Sequence, residues 1–120
     1  MLLNILKSKL HGAEITRTDL HYEGSISIDA NLLEAADMLP FEQVEIWNVT
    51  NGARLSTYII EGERGSGEVM LNGAAARLAE VGDTVIIAAY AQLTPDEVRD
   101  HRPTIVLMGP DNSVSEINRS

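Results

Sequence analysis

Two pairs of polar side chains in this sequence have the types and spacing to act together, and one of these pairs could bind an anion. Lys9 and His11 are two positions apart, so on a regular strand both leave the same face and together can hold an anion. Arg54 and Tyr58 are four positions apart and would share a face for the same reason. A solvated strand face is the simpler explanation of the first pair, and an exposed arginine with a half-buried tyrosine is the simpler explanation of the second. Thr57 would point the other way, so a site using Thr57 and Tyr58 together needs a twist, a bulge or two different surfaces.

Two further segments combine backbone freedom with polar groups. Tyr22-Glu23-Gly24-Ser25 is typical of a turn in which glycine supplies conformational freedom. Asn72-Gly73-Ala74-Ala75 is typical of a helix start, whose free N–H groups bind carboxylates or oxyanions. Each also has a plain explanation, as a common Gly-Ser turn and as a capped helix with closely packed alanines.

The composition argues against several classes of chemistry. The 120 residues include no cysteine, which excludes disulfides, thiol nucleophiles and thiolate metal ligands. His11, His21 and His101 are scattered without the spacing of a metal site, so we expect no metal. A formal net charge of −9 argues against a nucleic-acid partner and means that an acidic ligand needs local cations. No stretch is long and apolar enough to span a membrane, and we expect a cytoplasmic protein.

Most of the chain has the pattern of short strands. Residues 44–50 and 54–60 are rich in β-branched and aromatic side chains, and Asn51-Gly52 between them predicts a hairpin with a type I′ turn. Residues 84–91 form a nearly continuous apolar run, typical of a strand buried on both faces. Further strands are predicted at residues 3–6, 13–18, 25–28, 68–71 and 104–108.

Helices are predicted to be few and short. Asp29 and Asn72 are predicted to cap helices over residues 30–39 and 73–80, and Thr94-Pro95-Asp96-Glu97 has the pattern of a capping box. The apolar face of the first helix comprises Leu32, Leu33, Ala36 and Leu39.

Many short strands with a few helical turns predict a mainly β domain over residues 1–120, either a barrel or a sandwich. A closed barrel is favoured because it leaves no sheet edge exposed. The polar tail from about residue 109 is predicted to be loosely held.

Taken in order, these segments resemble the pyruvoyl-dependent aspartate 1-decarboxylase family, from about residue 1 to about residue 108. The matching segments are Lys9-Leu10-His11, Asp19-Leu20-His21-Tyr22-Glu23-Gly24-Ser25, Trp47-Asn48-Val49-Thr50-Asn51-Gly52, Ser56-Thr57-Tyr58, Glu63-Arg64-Gly65-Ser66, Asn72-Gly73-Ala74-Ala75-Ala76 and Val81-Gly82-Asp83-Thr84-Val85-Ile86-Ile87.

The resemblance implies a double-psi β-barrel and a homotetramer with active sites between neighbouring subunits. It implies conversion of L-aspartate to β-alanine and carbon dioxide, in the supply of pantothenate and coenzyme A. Some members of the family mature unaided, whereas others need a maturation factor.

The resemblance also implies that the chain cuts itself between Gly24 and Ser25, giving fragments 1–24 and 25–120. The Ser25 hydroxyl would attack the Gly24 carbonyl, and Ser25 would then become a covalent pyruvoyl group. Glycine before the cut tolerates unusual backbone angles. Thr57 matches the family position that assists this step and contacts the substrate.

The remaining roles follow from the same match. The pyruvoyl ketone would form a Schiff base with the substrate amine and act as electron sink, and Tyr58 would protonate the carbanion. Arg54 would bind the carboxylate that is lost, and Lys9 with His11 the one that stays. The backbone of Gly73, Ala74 and Ala75 would complete the pocket, and Tyr22, Trp47 and Asn72 would line it.

Two alternatives remain open at this point. A self-processing hydrolase would also be cut before Ser25, but would keep an intact serine as its nucleophile. A barrel that binds a small acid without catalysis would stay uncut and release no carbon dioxide.

Overall fold

A computed structural model describes residues 1–119, so the last residue of the predicted domain, and of the predicted fragment 25–120, lies outside the described residues. Within these residues, nine strands and two short α-helices follow one another, which confirms the predicted mainly β fold with few helices. The strands are β1 (Leu3–Glu14), β2 (Arg17–Asp19), β3 (Ser25–Asp29), β4 (Gln43–Asn48), β5 (Arg54–Gly62), β6 (Val69–Asn72), β7 (Thr84–Leu93), β8 (Thr104–Met108) and β9 (Val114–Asn118). The helices are α1 (Ala30–Ala36) and α2 (Pro95–Asp100), with 3-10 turns at Gly73–Leu78 and Pro110–Asn112.

All nine strands belong to one sheet, in the order β2-β6-β3-β5-β4-β7-β1-β8-β9. Only Ile15 and Thr16 join β1 to β2, although these strands lie far apart in that order, so the sheet must curl. Backbone hydrogen bonds of 2.9 Å from Ile15 to Asp83 and from Thr16 to Val69 hold this junction. The fold is therefore barrel-like, but the predicted closure is wrong because β2 and β9 are left as edges.

The core lies inside the curled sheet and beneath α1. Aliphatic side chains fill it, as the scarcity of aromatic residues requires. Fully buried members include Leu10, Ile15, Ile26, Ile28, Ile46, Ile59, Leu71 and Ile87. Strand β7 runs between β1 and β4 and was predicted to be buried on both faces. The structure corrects this, since Tyr90 is 42% exposed and Ile86 is half-buried on its outer face.

The hairpin between β4 and β5 is confirmed, but its turn is not type I′. That turn needs positive φ at both central residues, and of Asn51 and Gly52 only Gly52 has it, at +81°. The Asn48 side chain explains the wider loop, because its Oδ1 accepts hydrogen bonds from the backbone of Thr50 and Asn51. A side chain thus replaces the tight backbone turn.

Asp29 caps α1 as predicted, accepting a hydrogen bond from the Asn31 backbone at 2.8 Å. The helix ends earlier than predicted because Asp37 adopts a left-handed conformation with φ of +55°. Leu39 therefore lies beyond the helix and is 64% exposed, which corrects its place on the apolar face. The capping box of Thr94 and Glu97 is confirmed.

The segment after residue 109 is more regular than predicted. Strand β9 pairs with β8 in an antiparallel ladder. Before it, the buried Asn112 side chain bonds the Glu14 backbone through both of its polar atoms, at 2.7 and 2.9 Å. The polar sequence of this segment does not indicate these pairings, because each depends on residues elsewhere in the chain. Within residues 1–119, no helix has the length and apolarity needed to cross a membrane.

Candidate active site

Ser25 lies at the start of β3, where its side chain is fully buried. The antiparallel pairing of β3 with β6 sets Ser25 opposite Asn72. The Asn72 Nδ2 donates to Ser25 Oγ at 3.0 Å, and Ser25 Oγ donates to the Glu23 carbonyl at 3.2 Å. The hydroxyl is thus held by one donor and one acceptor, which limits its rotation.

Asn72 does not cap the following helix, contrary to the prediction. Its side chain makes no capping hydrogen bond, and Gly73–Leu78 forms a 3-10 helix in place of an α-helix. The amide turns instead toward β3, where it also donates to Ser27 Oγ at 3.2 Å. Its Oδ1 is buried without a hydrogen-bond partner among the residues that the structure describes. An unpaired buried acceptor is rare and needs a specific explanation. Among the described residues, Ser8 Oγ is the other buried side-chain atom without a partner.

The loop before Ser25 packs closely on Gly73. A Cβ placed on Gly73 would lie 2.7 Å from the N and Cα of Gly24 and 2.9 Å from the Tyr22 carbonyl oxygen. Gly73 is also left-handed, with φ of +68°, whereas Gly24 has no positive φ. Glycine is therefore required by conformation and contact at Gly73, whereas the conformation of Gly24 does not require glycine.

A second group of predicted residues lies on the outer face of the sheet. Strand pairing aligns His11, Ile86, Trp47 and Arg54 in one row across β1, β7, β4 and β5. The Arg54 guanidinium lies over the Trp47 ring, 5.0 Å from its centroid, in a cation–π contact. Lys9 lies two residues before His11 on β1 and therefore points to the same face. Lys9, His11 and Arg54 thus share the outer face of the sheet.

An open cavity of about 550 Å³ lies on this face. Trp47 and Arg54 line it together with Glu45 and Tyr90, whereas Lys9 and His11 do not. Neither Lys9 nor Arg54 forms an ion pair anywhere in residues 1–119. A cation without a carboxylate partner is available to bind an acidic ligand.

Tyr58 lies on the same strand as Arg54 and beside the strand that contains Ser25. The parallel pairing of β3 with β5 begins at Ile26 opposite Ile59, so Ser25 and Tyr58 each lie one position before it. Parallel neighbours share a face, which puts Tyr58 on the side of Ser25 and Thr57 on the opposite side. The β4–β5 pairing has no bulge there. Thr57 and Tyr58 therefore contribute to different surfaces, the alternative left open by the sequence.

The other predicted residues are more exposed. Tyr22 is 51% exposed in the loop before the predicted cut, Ala74 is exposed and Ala75 is half-buried. Ser27 was missed by the sequence reasoning, although it bonds the same amide as Ser25. Its spacing of two from Ser25 on a predicted strand was the available signal, because such residues share a face.

Several known proteins are similar to this chain over nearly its whole length. A protein-family model described as aspartate decarboxylase matches residues 1–115. An aspartate 1-decarboxylase of Hyphomonas neptunium is 57% identical over 114 residues, covering 95% of this chain and 97% of its own. The corresponding protein of Clostridium acetobutylicum is 55% identical over 117 residues, covering 98% and 92%. That of Ralstonia pickettii is 52% identical over the full length of both chains. This chain therefore belongs to the aspartate decarboxylase family.

Proposed function

We propose that this protein decarboxylates L-aspartate to β-alanine and carbon dioxide, with a covalent pyruvoyl group that it makes from Ser25. Membership of the family supports the reaction and its place in pantothenate supply. The choice of Ser25 is supported by its fully buried hydroxyl, which lies directly after Gly24 and is hydrogen-bonded to Asn72 and Glu23.

The residues around Ser25 fit such a group. The unpaired Oδ1 of Asn72 can accept a hydrogen bond from a bound amine. The missing side chain of Gly73 leaves backbone next to the position where the cut would fall. When bound, the pyruvoyl ketone supplies a sink for the electrons that a departing carboxylate leaves on carbon.

Self-cleavage is proposed to begin with the Ser25 hydroxyl. Its oxygen forms a bond to the Gly24 carbonyl carbon, the Gly24–Ser25 C–N bond breaks, and the hydroxyl proton passes to the released nitrogen. Elimination then removes the Cα proton of residue 25 to solvent and breaks its Cβ–O bond, which frees the Gly24 carboxylate and leaves dehydroalanine. Addition of one water and loss of ammonia convert the dehydroalanine into the ketone. Asn72 Nδ2 orients the attacking oxygen, and Thr57 remains proposed to assist.

Substrate binding is proposed to use the outer-face cations. Arg54, held over Trp47, would bind one carboxylate, and Lys9 with His11 the other. Tyr58, on the face of Ser25, would hold the proton that replaces the lost carboxylate. The Gly73, Ala74 and Ala75 backbone would close the pocket, with Tyr22 beside it.

These groups are spread widely within one chain. Three strand spacings, about 14 Å, separate His11 from Arg54 along their row. Four residues of β5, about 13 Å, separate Arg54 from Tyr58. This separation supports the proposal that neighbouring copies complete each site. The family resemblance implies that these copies form a homotetramer, which native mass spectrometry tests. A cytoplasmic location is part of the proposal, and cell fractionation tests it.

Intact mass and a denaturing gel of the purified protein test the function. We expect fragments 1–24 and 25–120, with the second lighter by one ammonia than a chain beginning with serine and resistant to Edman degradation. Ser25→Ala should stay uncut and inactive. A serine that sequences normally in active protein would indicate the hydrolase, and one uncut chain would indicate the binding protein. Cleavage that starts only after addition of cell extract would reveal a maturation factor.

A further inference from the structure

The backbone of Gly73 contacts the peptide segment that ends at the proposed cut. The nearest atoms to a Cβ built on Gly73 all belong to that segment, namely Gly24 N and Cα at 2.7 Å and the Tyr22 carbonyl oxygen at 2.9 Å. Real Cβ atoms do not approach other atoms this closely, so any side chain at Gly73 would displace the loop. Gly73 is itself held in place, since it is buried and follows the last residue of β6.

Two adjacent residues thus hold the two sides of one peptide bond. Asn72 bonds the hydroxyl that is to attack, and Gly73 supports the residue whose carbonyl is to be attacked. A planar peptide has little tendency to rearrange, and reaction requires the oxygen and the carbonyl carbon in a near-attack arrangement. A displacement of about 1 Å in such an arrangement costs about 100-fold in rate.

We propose that Gly73 is a positioning residue for self-cleavage, whose bare Cα sets the place of Gly24 relative to the Ser25 hydroxyl. This inference rests on the proposed self-cleavage. It is separate from the use of the Gly73 backbone in binding substrate, since it concerns the uncut chain.

Another left-handed glycine supplies a matched control. Gly82 has φ of +95°, and a Cβ there would meet no atom within 4 Å. Gly82→Ala therefore introduces the backbone strain of an alanine at positive φ without a new contact. Gly73→Ala introduces both strain and contact. Gly73→Asn reduces the strain, because asparagine tolerates this conformation, but keeps the contact.

The experiment follows the appearance of the two fragments with time in freshly translated full-length chains, with thermal unfolding measured in a Ser25→Ala background. We expect Gly73→Ala and Gly73→Asn to cut about 100-fold more slowly than the unchanged chain. Gly82→Ala should cut at the unchanged rate.

Several outcomes would overturn the inference. Cleavage of Gly73→Ala within threefold of the unchanged rate would show that a side chain at this position is tolerated. A return to the unchanged rate in Gly73→Asn would attribute the slowing to backbone strain alone. Equal slowing by Gly82→Ala would show that strain at any left-handed glycine slows cleavage, and that the contact of Gly73 with Gly24 is not responsible. Loss of cooperative unfolding in Gly73→Ala would show that Gly73 is needed for folding and not specifically for cleavage. If the unchanged chain is never cut, the proposed function fails instead.

Discussion

The side-chain amide of Asn72 donates a 3.0 Å hydrogen bond to the hydroxyl of Ser25, across paired positions of β6 and β3. Both side chains are fully buried. The same Nδ2 reaches Ser27 at 3.2 Å. One amide therefore connects two hydroxyls on one face of β3, and only the first belongs to the proposed scissile bond.

Removal of the Asn72 amide should slow self-cleavage. Asn72→Ala leaves the Ser25 oxygen without its donor, and loss of a buried hydrogen bond costs about 1–3 kcal/mol, or about 5- to 150-fold in rate if the bond acts in the transition state. The measurement is the rate of fragment formation. Ser27→Ala is the control, since it leaves the contact between Asn72 and Ser25 in place. Equal slowing by both variants would contradict the role of Asn72.

Arg54→Ala should weaken aspartate binding after normal self-cleavage. A charge-assisted hydrogen bond contributes about 1.5–3 kcal/mol, so we expect KM to rise about 10- to 100-fold. Arg99→Ala, on the exposed surface of α2, makes the same change in net charge and should leave KM unaltered. Similar KM values for the two variants would remove Arg54 from carboxylate binding.

Tyr58→Phe should separate chemistry from binding. The variant keeps the ring but lacks the proposed proton, so kcat should fall about 100- to 10,000-fold while KM and self-cleavage change little. Steady-state kinetics on fully cut protein measures this. Tyr90→Phe, in the outer-face cavity, is the control. Turnover that is unchanged in Tyr58→Phe would exclude the proposed proton donor.

Asp29 should make the stability of the fold depend on pH. Burial alone would raise the pKa of its carboxyl group. Backbone N–H groups of Gly67, Asn31 and Gly65, with the charge of Arg64, outweigh burial and hold this pKa below 3.8. A lowered folded-state pKa means that the carboxylate stabilises the fold above the unfolded-state pKa, and that this stability is lost as pH falls through the folded value.

Asp29→Asn should therefore reduce the free energy of unfolding by about 1–3 kcal/mol near neutral pH. Its stability should also fall less than that of the unchanged chain between about pH 5 and about pH 2. Urea unfolding across this range is the measurement, and Asp96→Asn, on the exposed first turn of α2, is the control. Parallel pH profiles for Asp29→Asn and the unchanged chain would contradict the proposed role of the carboxylate.

Sequence reasoning was most successful where the interaction is local. The Asp29 cap and the Thr94 capping box join residues two or three positions apart, so their patterns are complete within one short segment. The hairpin of β4 and β5 was predictable for the same reason. Its turn was not, because the Asn48 side chain competes with the backbone for the same N–H groups.

The sequence by itself determined which chemical groups are present and, through their order, the family to which the chain belongs. The tertiary structure decided which of them meet. In the sequence Asn72 has the pattern of a helix cap, but the pairing of β6 with β3 directs its side-chain amide to Ser25. In the sequence Gly73 has the pattern of an ordinary helix start, but in the structure the loop that contains Gly24 packs on it. Both contacts join segments nearly fifty residues apart, and the register of paired strands sets them, because a shift of one residue would turn every side chain to the other face.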